Sequence, residues 1–503
     1  MKFARAGIAS VMGACALVQF LFWGADGIGI TLLFWTLIIA YYVACGLPKG
    51  NKRHIIENAA LAALVAGLAL CYTLFANNPL RVMNFLALVF LTGLLFLHGT
   101  VGMRIRWDRP IFIAELAAGY FCRPFVCLSR PWREAKAMRA ERNAGGKKPI
   151  LSKSAVRVFI QILAACIVSV PLLLILATLL AASDHVFADM TSDFFDMLAK
   201  IRLNEIFSQT ILFMILLPFT ASAVWSYRDS YASCSDAKEG DTAKRLYFPA
   251  AFAITILTLV NLLYLVYAKI QFEYLFGAWN GTLPEGITSA VYARNGFFEL
   301  AFVAALNIIL LLCCIRFTSR EGHPGLIIRC LSIALLTLSS VQLVSALRRM
   351  YLYITAYGFS QLRYFVSAFM FLMAIFFLFF LIREFVTRFP LFRCMIFAGA
   401  VSLLLLNLTV PDARIAQYNI DRYLDHSLDT LDVEYIEQYL SADAHVILLR
   451  NEDDIVRQDA DMKDIMEESI DVLEREANYY EKNKMHNWKY FNMSEEAKLR
   501  EVS

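Results

Sequence analysis

Apolar residues in this chain come in long unbroken blocks, not in alternating or one-faced stripes. "IASVMGACALVQFLFW", "AALVAGLALCYTLFA", "ILFMILLPFTASAVW" and "FVSAFMFLMAIFFLFFLI" are four of them. Many such runs approach the ~20 residues a helix needs to cross the hydrocarbon of a bilayer. Within that layer only a helix or a closed barrel can satisfy its own backbone. The pattern predicts eleven spanning helices, at 7–23, 28–47, 58–76, 82–101, 154–182, 204–226, 246–271, 297–316, 327–347, 364–383 and 393–410. The expected fold class is therefore all-α: a polytopic transmembrane helical bundle followed by a small helical C-terminal domain.

Three segments break the pattern. In 102–153 a basic stretch surrounds an apolar centre, Ile111 to Leu128, that carries Glu115 and Arg123 and is interrupted by Pro124. It reads as an interfacial or re-entrant helix with a basic rim toward anionic headgroups, or as a plain cationic anchor loop. The loop at 272–296 is rich in Gly, Pro and aromatic residues. From Pro411 the period changes: "LDVEYIEQYL", "LSADAHVILLRN" and the long "DDIVRQDADMKDIMEESIDVLEREANYYEKN" place apolar residues three and four apart. Ser441 and Ser494 are the predicted N-caps there. That tail holds 23 acidic and 11 basic residues, so it does not embed in a membrane. The expected organisation is 1–101 N-terminal spans, 102–153 basic segment, 154–410 transmembrane core and 411–503 acidic helical domain.

Charge then sets direction. If the N-terminus is inside, 28 of the 47 Lys and Arg fall in inner segments and eight in outer loops. The positive-inside bias thus places the N-terminus inside and 411–503 on the outer side of the membrane. All eleven cysteines lie in spans or inner segments, which leaves an outer face without thiols. Lys2 and Arg5 ahead of an apolar run, with "MGAC" at Cys15, resemble a secretory leader. The run continues to Trp23, and an uncleaved first span is expected. Only 18% of residues are charged, against about 25% in soluble domains.

Little of the sequence carries chemistry. "GADGIGIT" lacks the lysine of a phosphate loop, and neither HExxH nor a GxSxG elbow occurs. "CRPFVC" has the wrong spacing for zinc. Gln161, Asn261, Asn307, Gln342 and Asn407, at depth in the spans, are expected to join helices. No cofactor, metal or nucleic-acid partner is expected. The expected partners are the lipid bilayer and an envelope protein that meets 411–503.

The exception is "RRMYLYITAYGFSQLRY", Arg348 to Tyr364. Arg349, Tyr353 and Tyr357 share one stripe of a helix that prolongs the ninth span. Gly358 can end that helix and Ser360 can cap the next, which carries Arg363. Arg294, Glu299, Arg348, Arg349, Tyr353, Tyr357 and Arg363 form a candidate outer-face site for an anionic group, since guanidinium forks suit carboxylates and phosphates. The competing reading is structural: interfacial tyrosines, and arginines paired with Glu299 or the acidic tail.

"YARNGFFEL", "RRMYLYITAYGFSQLRY", "PDARIAQYNIDRY", "DVEYIEQYLSADA" and "WKYFNMSEEA" follow one another in order. This series, from about residue 290 onward, resembles a bacterial polytopic membrane family, the domain of unknown function 4153/4173 group. Phe359 stands where that family more often has a smaller aliphatic residue, and "SADAHVILL" lacks its usual proline. The resemblance implies a bacterial integral membrane protein and implies no activity. Three functions remain: a non-catalytic envelope, signalling or assembly component; a transporter or binder of an anionic solute or lipid headgroup; and a membrane transferase for lipid-linked substrates. The last would need paired outer carboxylates, where Asp26 stands alone and Asp184, Asp189, Asp193 and Asp196 are scattered.

Overall fold

The apolar blocks become long helices in the computed structural model, which describes residues 2–24, 26–48, 51–99, 112–129, 131–133, 136, 140, 203–228, 248–279, 297–318, 320–482 and 488–502. The first helix, α1 (Lys2–Ala16), runs on as a π-helical turn to Phe22. Then come α2 (Ile28–Cys45), α3 (Lys52–Leu74), α4 (Asn78–Gly99), and the short α5 (Phe112–Phe121) and α6 (Arg123–Val126). The second half holds α7 (Leu203–Arg228), α8 (Ala250–Trp279), α9 (Phe297–Phe317), α10 (Gly322–Tyr357), α11 (Gln361–Phe385) and α12 (Leu391–Leu408). Among the described residues nine helices are long and apolar enough to cross a membrane, or ten if the bent pair α5–α6 counts as one. The chain is an α-helical membrane protein. Of the expected spans, 154–182 lies outside the described residues.

Two apolar cores share one helix. Side chains of α1 to α4 enclose the first, around Leu61, Leu68, Leu88 and Leu94, and Phe112 joins it. Those of α8 to α11 enclose the second, around Leu257, Leu335, Leu343 and Phe380. Leu391 of α12 packs into the second and Ala400 into the first, so α12 is the seam. Amides pin the helices where hydrocarbon offers no other partner. Asn84 and Asn407 exchange two side-chain hydrogen bonds, at 2.7 and 2.9 Å. Asn307 accepts from Tyr264 and donates to Ser339, and Asn261 donates to the Leu331 carbonyl. Gln161 lies outside the described residues.

The element at 112–128 packs between α4 and α7 and bends by 47° at Cys122. Phe112, Arg123 and Pro124 are buried, and Phe112 meets Phe90 about midway along α4. This is the geometry of a broken span or a re-entrant loop.

Beyond α12 the chain turns within Thr409 and Val410, the latter left-handed at φ 47°, into α13 (Pro411–Leu424), whose first position is proline. Further helices are α14 (Val433–Tyr439), α15 (Ala442–Arg450), α16 (Glu452–Gln458), α17 (Met462–Tyr480) and α18 (Met493–Val502). The last acidic helix expected from the sequence is two helices, because the chain breaks at 459–461. There the Asp459 carboxylate takes the Asp461 amide instead of leaving it to a helix. Ser494 is not the N-cap of α18. Asn492 takes that role by accepting from the amides of Ser494 and Glu495. These helices share their own apolar cluster, from Ile415 to Leu473, and Phe359 and Tyr364 of the bundle pack against it.

Candidate functional site

At about 54 Å, α10 is far longer than the ~30 Å hydrocarbon layer, so its last turns stand clear of it. It ends at Gly358, left-handed at φ 71°, whose amide bonds the Ile354 carbonyl. Ser360 opens α11 by accepting from the Arg363 amide. The expected hairpin is present. The Arg363 guanidinium turns back over it, donating to the carbonyls of Tyr357 at 3.0 Å and Gly358 at 2.6 Å. It also lies 4.1 Å from the centre of the Tyr353 ring and 6.0 Å from that of Tyr357. Those carbonyls sit at the negative end of the α10 dipole, so the helix terminus itself supplies counter-charge. Arg348 and Arg349 are half-buried on α10, two turns before its end. Arg294 lies outside the described residues, as does the side chain of Glu299, whose backbone belongs to α9.

The hairpin is also a dock. Asn419 of α13 pairs both its amide groups with the Phe359 backbone. Asp412, fully buried, accepts from the Gln361 side chain at 2.9 Å and from the Ser441 amide at 3.1 Å. The Tyr435 hydroxyl accepts from the Gln361 amide, and Arg422 donates to the Thr355 carbonyl.

The C-terminal helices make a second contact on the same end of the bundle. Asp443 accepts from the Ala76 amide at 3.1 Å and from the Ser494 hydroxyl, which sits at hydrogen-bond distance from the Leu74 carbonyl as well. Burial pushes the Asp443 carboxyl up, against the pull of the Ser494 and Ala76 bonds. Asn492 donates to the carbonyls of Tyr72 and Phe75, and Lys489 to Gln19 and the Trp23 carbonyl. The ends of α1, α3, α10 and α12 and the starts of α2, α4 and α11 therefore share one face with these helices.

Between the two layers lies a cavity of about 600 Å³. Asp26 and Arg81 line its floor and form an ion pair at 2.8 Å. Its wall holds Glu437, His445, Glu476, Tyr479, Tyr490 and Lys498. The Lys498 side chain, 3% exposed, holds Glu476 at 2.8 Å. His445 is 4% exposed, and its Nε2 sits 3.0 Å from the Glu437 carbonyl. Facing a carbonyl, Nε2 carries the proton and leaves Nδ1 an acceptor, and Nδ1 has no hydrogen-bond partner among the described residues. Burial first, and Lys498 second, push the His445 pKa down to about 4, which keeps the ring neutral. None of this follows from local patterning, because the lining runs from residue 26 to residue 498. Among the described residues no cluster of His, Cys, Asp and Glu suits a metal ion.

The profile of a domain of unknown function, DUF4153, matches residues 62–451. The chain belongs to the DUF4153 family. The match begins well before the motif series read from the sequence and stops short of "WKYFNMSEEA". In this DUF4153 protein the hairpin, its Asn419 and Asp412 partners and His445 all fall inside the match. Glu476, Tyr479, Tyr490 and Lys498, the far wall of the cavity, lie beyond it. Neither a curated protein nor a solved structure matches the chain.

Proposed function

We propose that this DUF4153 membrane protein is a non-catalytic binding component that captures a small polar ligand at the membrane surface. The cavity between the bundle end and the C-terminal helices carries the reading. Its size lies within the ~300–1,000 Å³ of ordinary ligand pockets, and charged and aromatic side chains, Arg81, Arg475, Tyr479 and Tyr490 among them, line it. The reading places an eleven-span bundle in the bacterial cytoplasmic membrane, with the N-terminus inside and 411–503 as an outer domain. The lysine and arginine bias supports that direction. It moves the binding site from the Arg and Tyr hairpin to the cavity, because Arg363 already has the α10 carbonyls and the Tyr353 ring as partners.

The test is thermal unfolding of the full chain in lipid nanodiscs. Inorganic phosphate, phosphoethanolamine, single amino acids and neutral disaccharides are added one at a time. A ligand at a hundred times its Kd stabilises by about 2.7 kcal/mol, a readable shift. No shift with any of them overturns the reading. A second reading, an assembly component that meets an envelope protein through 411–503, is supported by the stacked Tyr435 and Tyr439, the latter exposed.

A further inference from the structure

We infer, resting on the binding reading above, that the ligand is a small zwitterion, with an ammonium and an anionic acid group on one short skeleton. Free amino acids and the phosphoethanolamine headgroup share that chemistry. Four acidic and three basic side chains line the cavity. Two pairs answer each other at 2.8 Å, Asp26 with Arg81 and Glu476 with Lys498. Glu437 and Arg475 are different. Neither has an ion-pair partner among the described residues, and their charges are opposite. Glu437 is half-buried and Arg475 exposed, so both stand open to a ligand.

The two belong to one wall. Glu437 lies near the end of α14, which packs on α17, where Arg475 sits. The Glu437 carbonyl and the Glu476 charge both act on the His445 ring, so the two helices meet there. Arg475 Nε donates to the Asp471 carbonyl at 3.0 Å, which ties the guanidinium to its own helix and leaves the Nη groups for a carboxylate or phosphate. Tyr479, 65% exposed, and Tyr490 add rings of the kind that attract an ammonium. A lone anion would gain Arg475 but lie beside Glu437, in a lining with one more acid than base. A lone cation would gain Glu437 and lie beside Arg475. A neutral ligand would displace water from both charges and return only hydrogen bonds without charge assistance, roughly half as strong. A zwitterion answers both at once.

The test is isothermal titration of the full chain in nanodiscs of phosphatidylcholine and phosphatidylglycerol. Two zwitterions, alanine and glycerophosphoethanolamine, are set against their single-charge parts: propionate and ethylamine for the first, glycerol phosphate and ethanolamine for the second. Inorganic phosphate and trehalose complete the set. At least one zwitterion should bind at least tenfold more tightly than either of its parts. Alanine as that ligand makes the source a free amino acid. Glycerophosphoethanolamine, with its signal suppressed in nanodiscs containing phosphatidylethanolamine, makes it a lipid headgroup. Glu437→Gln should erase the preference over the anionic part, and Arg475→Gln the preference over the cationic part. Both variants should keep the unfolding midpoint of the unliganded chain, since neither side chain is in an ion pair. Arg457→Ala, on the outer surface, should change nothing. Phosphate, trehalose or a single-charge part binding as tightly as the zwitterions overturns the zwitterion assignment and spares the binding reading. Binding of no ligand overturns both. Zwitterion binding indifferent to both Glu437→Gln and Arg475→Gln overturns this wall as the place.

Discussion

Asn419 lies against Phe359 as one strand lies against another. Its carbonyl oxygen accepts from the Phe359 amide at 2.7 Å, and its own amide donates to the Phe359 carbonyl at 2.9 Å. One side chain thereby satisfies both backbone groups of the residue that links two membrane helices. Gly358 beside it has room for nothing larger, because a Cβ there would stand 2.5 Å from the Asn419 oxygen, on a backbone already at φ 71°.

Asn419→Ala should therefore leave two partly buried backbone groups unpaired, at about 1–3 kcal/mol each at most. The expected result is a clear fall in the unfolding midpoint of the purified chain and faster proteolysis of the segment after Pro411. Gly358→Ala should destabilise too, through backbone strain and the clash. Unchanged protease resistance in both variants would show that the hairpin is not what holds the C-terminal helices.

Arg363 should behave as a helix cap. A cation at a helix C-terminus contributes about 0.3–1 kcal/mol, and a guanidinium over an aromatic ring ~0.5–1 kcal/mol where exposed. Arg363→Gln should lose about 1–2 kcal/mol of stability while ligand binding stays intact. Arg363→Lys should fall between, since it keeps the charge but loses the planar stacking. If Arg363→Gln instead abolishes binding without lowering the unfolding midpoint, the hairpin is the ligand site after all.

The hairpin is legible in the sequence because its determinants are local. Gly358 and Ser360 act within one turn of themselves, and the spacing of Arg349, Tyr353 and Tyr357 needs only the helical period. The partners of Arg363 are not legible, because two of them are backbone carbonyls, which every residue has. The cavity is less legible still. Asp26 appears isolated in sequence and meets Arg81 across 55 positions, and Lys498 meets Glu476 only because α17 and α18 fold back on each other. Nothing in the spacing of the chain marks His445 as a lining residue.

His445 should give the stability of the chain a pH dependence of definite sign. Its pKa in the fold is about 4, below the ordinary value of 6.5, so the unfolded chain binds the proton more readily. The stabilisation is present above pH 6.5 and is lost as pH falls through 4, by about 3 kcal/mol at the limit. Lys498 and Glu476 face the same ring and the carbonyl of Glu437 caps it. Asp443, with a raised carboxyl, works in the opposite sense and favours the fold at low pH. The comparison to make is unfolding midpoint against pH for the wild type and for His445→Gln. The variant should show a shallower decline between pH 6.5 and 4, and parallel curves would remove His445 from the account.

Glu384 and Arg320 hold the opposite end of the bundle. The Glu384 side chain is fully buried, and Arg320 Nη1 reaches both its oxygens, at 2.7 and 2.6 Å. Removing one partner of a buried pair strands the other charge and costs about 3–5 kcal/mol. Arg320→Met alone should therefore cripple accumulation of folded protein in the membrane. The double variant Arg320→Met with Glu384→Leu should recover much of it, since apolar replacements of a buried pair are often tolerated. Failure of the double variant to improve on the single one would mean the pair is not an isolated unit.

The sharing of one face by the C-terminal helices and one set of loop ends makes orientation testable at two residues. Asn78 opens α4 on the cavity side, and Lys52 opens α3 at the other end of the bundle, both exposed. In a background with the native cysteines replaced by serine, Asn78→Cys and Lys52→Cys should react from opposite sides of the membrane. In the proposed orientation Asn78 is the outer one. A membrane-impermeant maleimide added to intact spheroplasts should label Asn78→Cys at once and Lys52→Cys only after lysis. A reporter that needs the outer compartment, fused after Ser503, should be active in the same strain. Labelling in the reverse order would turn the cavity toward the cytoplasm and make its ligand a cytoplasmic one. Labelling of both sites from one side would break the shared-face geometry itself, because α3 would then not cross the membrane.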